Sequence, residues 1–209
     1  MGVSLKKGQG ISLKKSEHEL SQVTIGLGWD IAEQEAGFFG KILGKKAEEY
    51  DLDAVAFLLD ANGKVTDLGE NQSLKNGDVI FFNSMSHKSG AIWLTGDNRT
   101  GAGDGDDEQI IVKLDQLPQQ YQKVLFVVQI YKGIENKQDF SKVKNAFIRA
   151  VDRTGKEMVR FDLSGDPTYA NCRSLVFAEL ERQGSEWKYT AIGKPYSTDN
   201  FVQILREYV

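Results

Sequence analysis

Short apolar runs with a period of two dominate the chain, and Gly, Asn and Asp punctuate them. Val23, Ile25, Leu27 and Trp29 alternate with Thr24, Gly26 and Gly28. This predicts a strand with one buried face, and close backbone approach or a bulge on the glycine face. Val3–Leu5 and Ile11–Leu13 read as small strands around a Lys6–Gly10 turn. Further strands are expected at Asp51–Asp60, Asp78–Asn83, Ala91–Leu94, Ile110–Leu114, Ala146–Val151, Met158–Leu163, Leu175–Leu180 and Trp187–Ile192. Lys123–Tyr131 is almost continuously apolar and rich in β-branched residues, which predicts a central strand covered on both faces. Turns fall at Ala61–Lys64, Asp152–Gly155 and Gln183–Ser185. In the first, Asn62-Gly63 supplies positive φ, and turn chemistry explains Asp60 and Asn62 better than metal ligation.

Helical periodicity enters late. Phe201, Ile204, Leu205 and Tyr208 stand at i, i+3, i+4 and i+7, which predicts a helix over about 198–209 with Thr198 or Asp199 as N-cap. Ser141–Lys144 reads as a short helical turn. Many short strands and one terminal helix indicate a mostly β fold: a single antiparallel β-sandwich domain over 1–209, with short helical segments. Residues 31–50 break the pattern, with Phe38, Phe39, Ile42 and Leu43 set among Gly37, Gly40, Gly44, Lys41, Lys45 and Lys46. A loop whose apolar residues fold back as a lid is the first expectation. The alternative is a docking segment for a partner or for the inner face of a membrane.

Composition narrows the function. The 40% apolar content of the 209 residues supports a sizeable core, and a net charge of −4 with pI near 5.3 argues against nucleic-acid partners. The single cysteine, Cys172, excludes an internal disulfide and fits a reducing, cytoplasmic setting. The N-terminus shows no signal-peptide core, Lys6 stands where a myristoylation start wants Ser or Thr, and no apolar run reaches membrane-spanning length.

Charge is concentrated in one place. Between Asp97 and Glu108, five acids (Asp97, Asp104, Asp106, Asp107, Glu108) face one base, Arg99, on a backbone carrying Gly101, Gly103 and Gly105. Such carboxylates repel one another unless a cation lies between them. Oxygen donors on a glycine-rich chain suit a hard cation such as Ca²⁺. The spacing is not an EF-hand, because Arg99 and Gly101 occupy the third and fifth ligand positions and Ala102 the turn glycine. Further donors are expected from strand ends at Asp30, Asp51, Asp53 and Asn83. Asp51 and Asp53 are two apart and share a face.

Catalytic chemistry finds little support. His18 and His87 lie in no metal or catalytic spacing and are expected as surface polar residues. Cys172 has no motif around it and no positioned base. Gly101–Gly105 cannot cradle phosphate among acids without a Walker lysine. A hydrolase using a metal-bound water is the weakest of the readings.

Seven segments occur in order: Gly2–Leu5, Gly26–Asp30, Asp51–Ala54, Ile80–Asn83, Gly96–Gly101 (Gly-Asp-Asn-Arg-Thr-Gly), Gly105–Glu108 (Gly-Asp-Asp-Glu) and Asn145–Arg149. Together, over about residues 2–193, they resemble the TerD family of bacterial tellurium-resistance and general-stress proteins. The resemblance implies a β-sandwich binding Ca²⁺ through acidic loops at one end, and because the candidate donors outnumber what one ion needs, two adjacent ions are expected. Its implied ligands are Asp97, Asn98, Asp104, Asp106, Asp107, Glu108, Asp51 and Asp53, with Asp30 and Asn83 as outer candidates. It further implies a non-enzymatic cytoplasmic sensor or scaffold whose partners are other stress or tellurium-resistance proteins. The 31–50 segment looks longer and more apolar than the family's connection there, and the helix after Pro195 also varies.

Overall fold

Among the described residues, twelve strands form two sheets of six, packed through a shared apolar layer. The computed structural model describes residues 2–30, 50–95, 106–163 and 167–209. The docking residues expected at Phe38, Phe39, Ile42 and Leu43 lie outside them, as do Asp97, Asn98 and Asp104. The strands are β1 (Val3–Ser4), β2 (Gly10–Leu13), β3 (Val23–Asp30), β4 (Leu52–Leu59), β5 (Val79–Ile80), β6 (Ile92–Leu94), β7 (Glu108–Val112), β8 (Lys123–Ile130), β9 (Lys144–Asp152), β10 (Glu157–Asp162), β11 (Ser174–Gln183) and β12 (Glu186–Tyr196). The first sheet runs β1-β10-β9-β3-β7-β6 and the second β2-β12-β11-β8-β4-β5. β1 joins β10 in parallel, and the other pairings are antiparallel.

Alternation decides the layers. Val23, Ile25, Leu27 and Trp29 of β3 point into the inter-sheet core with Leu52, Ala54, Ala56 and Leu58 of β4 and Val124, Phe126, Val128 and Ile130 of β8. The opposite face of the second sheet carries a second cluster, where Val55, Phe57, Leu59, Leu125 and Val127 meet Phe201, Ile204 and Leu205 of α1 (Phe201–Leu205). β8 is therefore apolar on both faces because a sheet covers one side and the C-terminal helix much of the other.

Two expectations change. The helix is shorter than 198–209. Asn200, rather than Thr198 or Asp199, is its N-cap and accepts the Val202 N–H at 2.9 Å. Asp199 instead accepts the Ile134 N–H at 3.0 Å, and the chain after Leu205 tightens into turns, with Tyr208 still packed on the second cluster. The strand expected at Asp78–Asn83 covers only Val79–Ile80, because Phe81 and Ser84 exchange backbone hydrogen bonds (3.2 and 2.8 Å) and reverse the chain. Phe82 is left 45% exposed, which an apolar run of sequence does not announce.

Candidate metal centre

One end of the sandwich gathers the starts and ends of the acidic strands. Leu27 of β3 pairs with Glu108 of β7, so β3 finishes where β7 begins. Thr95 N–H donates to Gln109 O at 2.8 Å and closes the base of the 96–105 segment at the same place. The Trp29 indole N–H donates to Tyr50 O at 3.2 Å, bringing the start of β4, with Asp51 and Asp53, to this rim.

Glu108 follows the inward row of β7, ahead of Ile110 and Val112, and is buried. Its Oε2 accepts the backbone N–H of Ala54 in the second sheet. The reason lies in the edge strand. β5 pairs with β4 only at Ala56 and Phe57, so the shortness of β5 leaves the Ala54 N–H without a ladder partner, and a buried amide demands an acceptor. Asp107 Oδ2 accepts the Trp29 N–H at 3.0 Å, while the Asp107 N–H donates to Leu27 O at 2.8 Å. Adjacent acids are thus tied to opposite sheets.

Asp106 turns away from this rim. Its carboxylate lies over Gly26 on the outer face of the first sheet, where Arg149 Nε donates to Oδ1 at 2.7 Å and Gln109 Nε2 donates to Oδ2 at 3.3 Å. Burial works against the Arg149 charge, but Asp106 and Glu157 more than offset it and hold the guanidinium pKa above its ordinary value. The glycine face of β3 is therefore explained, since a Cβ at Gly26 would stand 2.1 Å from Asp106 Oδ2. Gly26→Ala should push Asp106 off Arg149 and cost about 1–3 kcal/mol, read as a lower urea midpoint at unchanged slope. A midpoint within error of the wild type would contradict this placement.

Asp53 shares the row of β4 that faces the helix side, and Asp51 stands just before the strand. Asp53 Oδ2 accepts from Gln129 Nε2 at 2.9 Å, and Asp51 O accepts the Tyr131 N–H at 2.8 Å. Asn83 sits on the Phe81–Ser84 turn, exposed, beside a groove shared with Gln129, Tyr131, Asp199 and Phe201. The backbone of Asp30 closes β3 opposite Lys144 after a register irregularity at Gly28. Among the described residues, no group of three or more His, Cys, Asp or Glu stands close enough to hold a metal. What the described residues supply is the chemistry of a candidate donor set. It consists of carboxylates from Asp51, Asp53, Asp107 and Glu108 at one rim, without His or Cys, which fits a hard cation such as Ca²⁺.

Both histidines depart from the surface. His87 is buried, with Nδ1 3.1 Å from the Ser89 backbone nitrogen and Nε2 3.2 Å from Tyr121 Oη and 3.4 Å from Asp78 Oδ1. Asp78 is the hub: Tyr121 Oη donates to Oδ1 at 2.6 Å, and Thr66 Oγ1 and the Asp67 N–H each donate to Oδ2 at 3.0 Å. Burial pushes the Asp78 carboxyl up, yet these bonds bring it below its ordinary value; burial and Asp78 raise the Tyr121 hydroxyl. His18 is half-buried, with Nδ1 3.8 Å from Asp152 Oδ2. Sequence gives no spacing for these contacts because their partners come from distant loops. Cys172 is buried, its thiol pushed up to about 11 by burial, and it donates to Ser174 O at 2.9 Å. Such a thiol is a poor nucleophile.

A TerD domain model matches residues 1–208. The chain belongs to the TerD family. It is 63% identical over 213 residues to the tellurium resistance protein TerX of Serratia marcescens, covering 100% of both chains. It is 41% identical over 210 residues to the stress response protein SCP2 of Bacillus subtilis (strain 168), again over 100% of each. The TerD fold seen here matches the crystal structure of a protein of unknown function, SAV2460, with a TM-score of 0.65 at 22% identity, over 90% of this chain and 95% of that one. The family is one of tellurium-resistance and general-stress proteins. No helix among the described residues is long and apolar enough to cross a membrane.

Proposed function

We propose that this TerD protein binds Ca²⁺, as two adjacent ions, at the acidic rim and acts as a non-enzymatic cytoplasmic sensor or scaffold for other stress and tellurium-resistance proteins. The observation that carries the reading is the division of Asp107 and Glu108 between the sheets, the first holding Trp29 of β3 and the second Ala54 of β4. Strand-end acids anchored in both sheets make the rim sensitive to whatever neutralises them. Bound Ca²⁺ would supply positive charge to the carboxylates of Asp51, Asp53, Asp107 and Glu108, with Asp97, Asn98 and Asp104 of the adjoining segment as further donors and Asp30 and Asn83 as outer ones. Asp106, committed to Arg149, has a supporting role, since it pins the start of β7.

The non-enzymatic part rests on the buried Cys172 thiol and on the enclosure of His87 with Asp78 and Tyr121, which leave neither group open to a substrate. Scanning calorimetry on chelated protein tests the cation reading. Ca²⁺ at 100 times its dissociation constant should add about 2.7 kcal/mol of stability and raise Tm by several degrees. A Tm unmoved by millimolar Ca²⁺ would contradict it.

A further inference from the structure

Gln129 is the one polar side chain in the run Val124–Ile130, and it is buried on the helix-facing side of β8. Its amide is committed at both ends. Nε2 donates to Asp53 Oδ2 at 2.9 Å, and Oε1 accepts the Phe201 N–H at 2.8 Å. Phe201 opens α1, where first-turn amides have no partner inside the helix. Asn200 satisfies the next one, at Val202, so Gln129 and Asn200 together cap α1. The two bonds of Gln129 are not independent. Turning the amide over would set N–H against N–H at Phe201 and carbonyl against carboxylate at Asp53. The Asp53 carboxylate therefore fixes which way Gln129 faces, and Gln129 fixes the start of α1. Beyond it, the Phe201 ring packs on Phe57 and Phe81, with centroids 6.3 and 5.3 Å away, and walls a groove of about 490 Å³ beside Phe82 and Tyr131.

We propose that Gln129 is a positioning residue that relays the state of the Asp53 carboxylate to α1, so that cation capture at the acidic rim is read out on the helical face. The coupling rests on the cation reading above, while the relay itself does not. A carboxylate pinned by a cation holds Gln129, and Gln129 then holds the Phe201 N–H more tightly, with no movement of either sheet required.

Amide hydrogen exchange at Phe201, read by NMR in the full chain, tests this, with Phe126 in the sheet as a control for global opening. Asp53→Ala, without any cation, should speed exchange at Phe201 about tenfold while Phe126 stays slow. Ca²⁺ should slow Phe201 several-fold in the wild type and not in Gln129→Leu, although calorimetry shows that variant still taking up Ca²⁺. Unchanged Phe201 exchange in Asp53→Ala, or equal slowing by Ca²⁺ in wild type and Gln129→Leu, overturns the relay. If Gln129→Leu does not fold, a wild-type Phe201 rate that ignores bound Ca²⁺ overturns it equally. Absence of Ca²⁺ heat overturns the cation reading, and the Asp53→Ala arm separates that failure from failure of the relay.

Discussion

Asp78→Ala is expected to destabilise the fold by about 3–5 kcal/mol, the cost of leaving a buried, charge-centred network without its acceptor. The Tyr121 hydroxyl, the Thr66 hydroxyl, the Asp67 N–H and His87 Nε2 all converge on this carboxylate, which is fully buried. Those groups join the turn before β5, the 87–89 segment and the connection into β8, so the loss should appear as a lower unfolding midpoint and not as local fraying. The pH dependence follows from the depressed folded pKa of Asp78. A carboxyl held low contributes stability that is present above its unfolded pKa, about 4, and lost as pH falls through the folded value. The gap between wild type and variant should therefore hold through neutral pH and narrow below about pH 4. A gap that grew on acidification, or a neutral-pH loss under 1 kcal/mol, would contradict the network's role.

Glu108→Ala should cost about 1–3 kcal/mol, because it strips the acceptor from the buried Ala54 N–H that short β5 leaves unpaired. The companion change Glu108→Gln keeps a carbonyl oxygen at the same reach and should recover much of that loss. Equal losses in the two variants would argue that charge, rather than the edge amide, is what Glu108 serves in the absence of metal. Urea unfolding of both in chelator, followed by Ca²⁺ addition, separates the two contributions. Alanine should lose stability without metal, and both variants should lose part of the response to it.

Much of the sandwich was legible in the sequence because alternation is a local signal. Each of the twelve described strands falls within or overlaps an expected segment, and the Phe201, Ile204, Leu205, Tyr208 stripe does pack against the second sheet. What failed was termination. Phe81-Phe82 looks like strand until a backbone reversal to Ser84 ends it, and α1 starts later than expected, capped by Asn200, with Asp199 spent on Ile134. The concentration of acids at the candidate site was legible, but the division of labour among them was not. Asp106 finds Arg149 43 residues away, Glu108 finds Ala54 54 residues away, and Asp107 finds Trp29 78 residues away. Only the assembled sheets show that three consecutive carboxylates serve an outer ion pair, one strand end and the opposite sheet. The isolated Gln129 in an apolar run was a readable signal, since a polar side chain on a doubly covered strand needs partners. His87 offered no comparable hint, as Asp78 and Tyr121 reach it from two other segments.

The central claim is that the cation site belongs to the folded sandwich, with donors contributed by strand ends as well as by the acidic segment. Titration calorimetry comparing the chelated full chain with an isolated 95–109 peptide tests it most directly. The account predicts that the full chain takes up Ca²⁺ at least about tenfold more tightly than the peptide, a difference of about 1.4 kcal/mol contributed by the strand-end donors Asp51 and Asp53, which the peptide lacks, and by the sheets that anchor Asp107 and Glu108. Equal affinity for the two, or no binding to the full chain, would contradict it.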